Sequence, residues 1–284
     1  VTCLFKTGLL PDRAERRALD AQSHPFAVQI EAPDSDPIVQ SIAWIRDQRV
    51  NPSCAGQAPA AIIDAARLFL PWASAVSIWR EARRRQGRIE QIDLGTRFEY
   101  VISGLVHRGW DPYVLGEDGD LVEAGLGAPP AGDDLQDELF ADDKRGVGMR
   151  RYRISAGELD AVDAALINPT LGVMIGTGTR DAYHAYQGDP SKPDAILTTD
   201  HLGGDRDGHG QRVFARVWQD GRRIYGIQGS WGPDGAVVLA TPPARATGWG
   251  GIHLPDGRWA PGCCWVDERV LREAWDIHVI EPRV

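Results

Sequence analysis

Cys54 occupies a position suited to a nucleophile. In "NPSCAGQAPAAIIDAARLFL" it directly precedes a run in which Ala58, Ile62, Ala65, Ala66 and Phe69 recur at three- and four-residue spacing, the period of one helix face. Ala61, Ile63 and Leu68 fill much of the remaining surface, so the helix predicted over residues 55–70 is buried nearly all round. Ser53 is placed to cap it, which sets Cys54 in the first turn, where unpaired amides and the positive end of the helix dipole favour an anion. For a thiol that anion is the nucleophile, and a nearby base would complete the arrangement. The competing reading is a small buried hydrophobe, the commoner fate of a lone cysteine. Pro59 has no N–H for the carbonyl four residues back, so a kink is expected there.

The elements that must position this thiol fall into two halves. Further helices are predicted over 74–86 and 97–107, the latter ended by Arg108-Gly109 and the turn at Asp111-Pro112. Residues 116–143 are acidic and rich in Gly and Pro and read as a surface crossing. Beyond them "MRRYRI" reads as a strand and "SAGELDAVDAAL" as a short helix opened by Ser155, with Glu158 completing a capping box. "GVMIGTG" reads as a buried strand, and "QRVFARVWQDGRRIYGIQGSWG" as two strands joined by a hairpin turn at Asp220-Gly221. "AVVLAT" and "WDIHVIE" add strands. The expected fold class is therefore α+β, helical first and β-rich second.

Composition narrows the function. The chain has 284 residues, 43% hydrophobic and 25% charged, with ten tryptophans, which fits a folded protein of one or two packed lobes. A net charge of −9 argues against a nucleic-acid partner, because a phosphate backbone needs clustered cations. The one basic run, "REARRRQGR" over residues 80–88, reads as the solvated face of a helix. No apolar run reaches the ~18 residues that span a bilayer, and the first residues lack the shape of a signal peptide. The chain therefore reads as soluble, with a cytoplasmic setting as the expectation from these features. Cys3, Cys54, Cys263 and Cys264 are too few and too oddly spaced for a disulfide scaffold or a zinc site. "GGDRDGHG" brings Asp205, Asp207 and His209 together like the opening of a calcium loop. The glutamate needed near the twelfth position is absent, so no metal and no cofactor are expected.

"DQRVNPSCAG" resembles the active-site segment of papain-like cysteine peptidases, D/N-Q-G-x-x-G-S-C at the start of the central helix. The resemblance continues in order along the chain. "GLLPD" is similar to the Gly-x-x-Pro-Asp lead-in of bacterial and phage members. "SAVSIWREARRRQGR", "DLGTRFEYVISGLVHRG" and "ELDAVDAALINPTLGVMIGTG" resemble their next helices and strand, and "DGHGQRVFARVWQDGRRIYGIQGSWGPDG" resembles the segment that runs from G-H-A to N-S-W-G. The resemblance implies a papain-like two-lobe fold, with a helical lobe and an antiparallel β-barrel-like lobe. Residues 1–40 would form a lead-in, 41–145 the helical lobe with the nucleophile, and 146–284 the β-rich lobe with the base. It implies Cys54 as nucleophile, Gln48, six residues earlier, as oxyanion-hole donor, and His209 as proton carrier. His201, eight residues too early, is the alternative base. His107 and His184 read as surface or core-edge residues.

The sequence departs from the family at one decisive place. Where the family has the asparagine that orients the imidazole, this chain has Gly229, and loss of an orienting partner costs related triads orders of magnitude in turnover. Asp205, Asp207 or Gln228 are candidates for that role, and Trp231 of the "SWG" motif for shielding. Arg49, where the family pattern has glycine, and Pro59 point to a remodelled cleft. The leading expectation is a thiol peptidase acting on a peptide or protein through an acyl-enzyme, with activity reduced by the missing asparagine. The alternative is an inactive papain-like structural or binding module, for example a phage virion or tail component with an assembly partner. A transferase or amidase would use the same pair with another acceptor or substrate.

Overall fold

Small residues bring the first helix close to its neighbours. Helix α1 (Cys54–Arg67) carries Cys54, Ala55, Ala58, Ala60, Ile62 and Ile63 into the core, all essentially without exposed surface. A Cβ at Gly56 would stand 2.2 Å from the carbonyl oxygen of Ala75, so only glycine permits the approach to the next helix. The helix is continuous through Pro59. The computed structural model describes residues 9–10, 36–43, 52–67, 73–87, 95–111, 114–115, 121–122, 149–186, 193–205, 207–230 and 250–282.

Helix α2 (Ala75–Arg85) is capped by Ser74, whose hydroxyl accepts from the Ser77 N–H. Helix α3 (Phe98–His107) ends where Gly109 takes a φ of 85°, a left-handed conformation that suits glycine. The predicted solvated face of α2 needs correction: Arg80, Glu81 and Arg83 are all buried. Arg83 donates to the carbonyl of Gly95 at 2.6 Å. Glu81 accepts from Arg84 (2.8 Å), Arg85 (2.7 Å) and Arg108 (2.9 Å), which ties α2 to the end of α3. The arginines are abundant here because a buried carboxylate on a helix packed on most sides needs several donors.

The second half, joined by one short strand from the first, builds an eight-stranded sheet. Its strands are β2 (Ile38–Val39), β6 (Arg150–Ile154), β7 (Gly172–Thr177), β8 (Ile196–Leu197), β9 (His209–Gln219), β10 (Arg222–Gln228), β13 (Cys263–Asp267) and β14 (Asp276–Glu281). The order is β6-β14-β7-β9-β10-β13-β8, with β2 also paired to β9. The ladder is antiparallel except for the parallel pair β8–β13, so the sheet is mixed rather than purely antiparallel. Short pairs lie outside it: β1 (Leu9–Leu10) with β3 (Thr96–Arg97), β4 (Val114–Leu115) with β5 (Leu121–Val122), and β11 (Gly251–His253) with β12 (Trp259–Pro261). At the β9–β10 hairpin Asp220 and Gly221 have φ of 52° and 75°, the two left-handed residues that a tight hairpin turn requires.

Alternation along β7 and β14 divides the core. Val173, Ile175, Ile277 and Val279 face one hydrophobic cluster with Val162, Val213 and Tyr225. Met174 and Ile280 face another with Ile63, Phe98 and Val101. Both faces of these strands are thus covered, which explains why β7 has no polar alternation. On the first face lies helix α4 (Leu159–Ile167). Its Asp163 accepts from the Tyr225 hydroxyl at 2.9 Å and is ion-paired with Arg216 at 3.3 Å, bolting α4 to the hairpin. This helix starts later than predicted. Gly157 turns at a φ of 96°, and Glu158 itself caps by position while its carboxylate accepts from the Ser155 N–H. Two short helices, α5 (Asp181–Tyr186) and α6 (Glu268–Arg272), and strands β11 to β13 were not expected from the pattern, being brief and lacking long periodic runs. "AVVLAT" lies outside the described residues.

Burial pushes the Glu81 carboxyl up, but hydrogen bonds from Arg84 and Arg108 and their charges outweigh it and hold the group below its ordinary value. A depressed acid contributes stability that is present above the unfolded value, near 4.3, and lost as pH falls through the folded one. Glu81→Gln should therefore cost about 3 kcal/mol near pH 7. That deficit should narrow below about pH 4, as read by urea denaturation at both pH values. An equal deficit throughout would show that the charge on Glu81 is not what binds the helices.

Candidate active site at the α1 and β9 termini

The first turn of α1 is built on Ser53. Its carbonyl accepts from the N–H groups of Gly56 (2.8 Å) and Gln57 (3.0 Å), and its hydroxyl accepts from Gln57 Nε2 at 3.2 Å. Cys54 is thereby the first residue of the helix, as expected, with 0% exposure. Its Sγ lies 4.0 Å from the carbonyl oxygen of Gly208. That same oxygen accepts from the Leu9 N–H at 2.8 Å, so Leu9 covers the backbone facing the thiol.

His209 opens β9 and is itself fully buried. The glycines on either side of it decide its place. A Cβ on Gly208 would stand 2.1 Å from the carbonyl oxygen of Leu9 and 2.3 Å from the Trp275 ring. A Cβ on Gly210 would stand 3.1 Å from the carbonyl oxygen of Cys54 and 3.3 Å from the Cα of Ala55. The chain on both sides of His209 thus runs against the residue that carries the thiol and its neighbours. Before it, Asp207 adopts a φ of 48°, and its carbonyl accepts from the Thr179 N–H (3.2 Å) and hydroxyl (2.8 Å). A short polar residue tolerates this left-handed turn, which starts the strand at His209.

Around the imidazole lie groups that sequence reasoning missed. The Tyr183 ring, on α5, stands 5.9 Å from the His209 ring, tilted by 49°. Its hydroxyl accepts from Gln211 Nε2 at 2.8 Å. Burial, and then the charge that thiolates at Cys264 and Cys54 would carry, push the Tyr183 phenol well above its ordinary value, so it stays neutral. The only hint in the sequence was the three-residue spacing of Tyr183 and Tyr186 in "DAYHAYQ", which places both on one helix face.

The other candidates are distributed differently. Gln48, Arg49 and Trp231 lie outside the described residues. Gln228 is buried, and its Oε1 accepts from Arg212 at 3.4 Å. Asp207 is exposed and holds the turn through its backbone, and Asp205 is exposed as well. Among the described residues no group of three His, Cys, Asp or Glu side chains could hold a metal ion. His201 Nδ1 accepts from the Thr198 N–H at 3.3 Å, and its ring meets Tyr186 edge-on. His107 is exposed at the end of α3, and the His184 side chain lies outside the described set. Cys54, Cys263 and Cys264 form no disulfide. Burial pushes the Cys263 thiol up to about 12 and raises that of Cys264 further. A cavity of about 570 Å³ lies away from Cys54, against Ile62, Ala65, Ala66 and Arg212. Those positions on α1 are eight to twelve residues from Cys54, about 12–18 Å along the axis.

With the geometry in place, the arrangement can be compared with known structures. No family model matches the sequence, and no curated protein matches it. Solved structures do. Xylellain, a cysteine protease from Xylella fastidiosa, superposes over 99% of this chain and 97% of its own, with a TM-score of 0.62 at 19% identity. The fold is papain-like. Digestive procathepsin L 3 of the Tenebrio molitor larval midgut covers 92% of this chain and 73% of its own, with a TM-score of 0.55 at 14% identity. The proform of the ragweed cysteine protease Amb a 11 covers 94% and 73%, with the same TM-score and identity.

The glycine contacts in this papain-like frame make a mutational prediction. Gly208→Ala forces backbone and an indole ring apart and should cost about 3 kcal/mol. Gly210→Ala, whose contacts need to yield only a few tenths of an ångström, should cost about 1 kcal/mol. Thermal and urea melts give the order. Equal stability of Gly208→Ala and the unmodified chain would mean that Leu9 and Trp275 do not press on this turn.

Proposed function

We propose that this chain is a cysteine peptidase whose nucleophile is Cys54 and whose proton carrier is His209. The observation that carries the reading is the placement of Cys54 at the head of a buried helix, against the glycines that flank His209. In this reading the Cys54 thiol loses its proton to His209 as its sulfur bonds to the carbonyl carbon of a peptide. The oxygen that becomes negative accepts hydrogen bonds from the Cys54 N–H and the Gln48 amide. The imidazolium then protonates the leaving amine as the C–N bond breaks. Water attacks the remaining thioester with His209 as base, releasing the acid and restoring the thiol. The likeness in fold to three cysteine proteases supports this chemistry.

A second reading has its own support. Cys54 and His209 both lack exposed surface, and Leu9 is bonded to the carbonyl beside the thiol. A papain-like module that binds a partner without turning over, such as a component of a virus particle, fits a site closed in this way and the glycine at position 229.

Iodoacetamide labelling near pH 6.5, followed by peptide mapping, separates the two. The peptidase reading expects Cys54 to be alkylated at least about 10-fold faster than the same thiol in the unfolded chain, while Cys263 and Cys264 stay unlabelled. It also expects hydrolysis of a fluorogenic peptide library that Cys54→Ala abolishes and His209→Ala reduces by about 10³-fold or more. Alkylation no faster than in the unfolded chain, without hydrolysis, would support the binding module.

A further inference from the structure

An imidazole that moves protons works only if its ring is held in one orientation, and position 229 offers no side chain to hold it. The space it leaves is occupied. A Cβ built on Gly229 would stand 3.7 Å from the Tyr183 hydroxyl and 4.0 Å from Gln211 Nε2. A longer side chain at 229 would therefore reach the very place these two polar groups fill. Both are buried, Tyr183 with 4% of its surface exposed and Gln211 with none. They are joined by the 2.8 Å hydrogen bond from the Gln211 amide to the phenol oxygen. The Tyr183 ring also lies against the His209 ring. Gln211 and His209 are two residues apart on β9, so their side chains leave the strand on the same face.

We infer that Tyr183, its hydroxyl pinned by Gln211, is the positioning residue for His209, its ring setting the imidazole's orientation by packing against it where position 229 supplies no side chain. A phenol oxygen has two lone pairs and one proton. The Gln211 amide holds that oxygen, and with it the ring that packs on the imidazole. A ring pinned at its oxygen keeps one direction, and a neutral phenol adds no full charge to a buried site. The pinned ring explains how glycine at 229 is compatible with a working pair: a Cβ there would already touch the Tyr183 hydroxyl at 3.7 Å, and a side chain longer than alanine would compete for the same volume.

This inference rests on the peptidase reading, and its test keeps the two apart. Tyr183→Phe removes one oxygen and preserves the ring. It should lower kcat on a fluorogenic peptide by about 10-fold or more while KM changes by less than about 2-fold, the signature of a group that orients rather than binds substrate. The imidazole ¹⁵N signal of the His209 nitrogen facing Tyr183 should move in the same variant, with the melting temperature recorded alongside. Gly229→Asn introduced into Tyr183→Phe, where the hydroxyl no longer occupies the space, should restore most of kcat. Unchanged kcat and an unchanged ¹⁵N signal in Tyr183→Phe would overturn the role of Tyr183 while leaving the peptidase intact. A loss of kcat that tracks the loss of melting temperature and that Gly229→Asn does not rescue would reduce Tyr183 to a packing residue. A shifted ¹⁵N signal in a chain that hydrolyses no peptide would keep the contact and end the peptidase reading.

Discussion

The first turn of α1 meets the start of β9 backbone to backbone, and the helix is joined to the sheet through that approach. Gly210 lies against the carbonyl of Cys54, and the Gly208 carbonyl faces its sulfur. A Cβ at Gly210 would press on the Cys54 carbonyl oxygen at 3.1 Å, and one at Gly208 on Leu9 and Trp275, so the absence of side chains keeps the contact close. The contact sets the level of α1 along the sheet. From there Ile62 reaches Gly172 on β7, where a Cβ would stand 2.1 Å from its Cγ2, and Gly56 admits α2. One helix is thus located by glycines at three points, two of them on strands that neighbour each other.

Strand β9 is held from both ends. At its start the Asp207 turn is bonded to Thr179, and towards its end Arg216 is bonded to Asp163 on α4. Between these anchors its residues pair with β7 on one side and β10 on the other, leaving little freedom for the strand to slide. A one-residue slip would exchange His209 with Gly210 and carry the imidazole to the face of the helix backbone. Register is therefore what makes His209 a candidate base and not merely a buried histidine.

Burial sets the electrostatics. Water contributes little around Cys54, His209, Tyr183 and Gln211, so each polar interaction there is stronger and each missing one more costly. A neutral phenol and a neutral amide suit this environment better than a second carboxylate would. An extra anion beside the imidazole would itself need desolvation, and it would oppose the formation of the thiolate nearby. Asp205 and Asp207, the carboxylates next to His209 in sequence, are exposed, which follows the same logic.

Much of this was legible in the sequence. The periodicity after Cys54 placed the thiol at a helix start, the Asp220-Gly221 pair placed the hairpin, and the order of motifs pointed to the papain-like fold. Local patterns suffice for these because helix period and turn chemistry act over a few residues. Errors came where distant chain decides. The basic face of α2 read as solvated, but its Glu81 draws Arg108 in from the end of α3 and Arg83 turns to the Gly95 carbonyl, and the Ser155 cap was displaced by the turn at Gly157. The sequence by itself determined which residues could be nucleophile and base, through their types and local elements. Only the tertiary structure decided what stands beside His209. Tyr183 comes from α5, Gln211 from β9 and Gly229 from just beyond β10, and packing around a buried imidazole, not spacing along the chain, brings the three to one point.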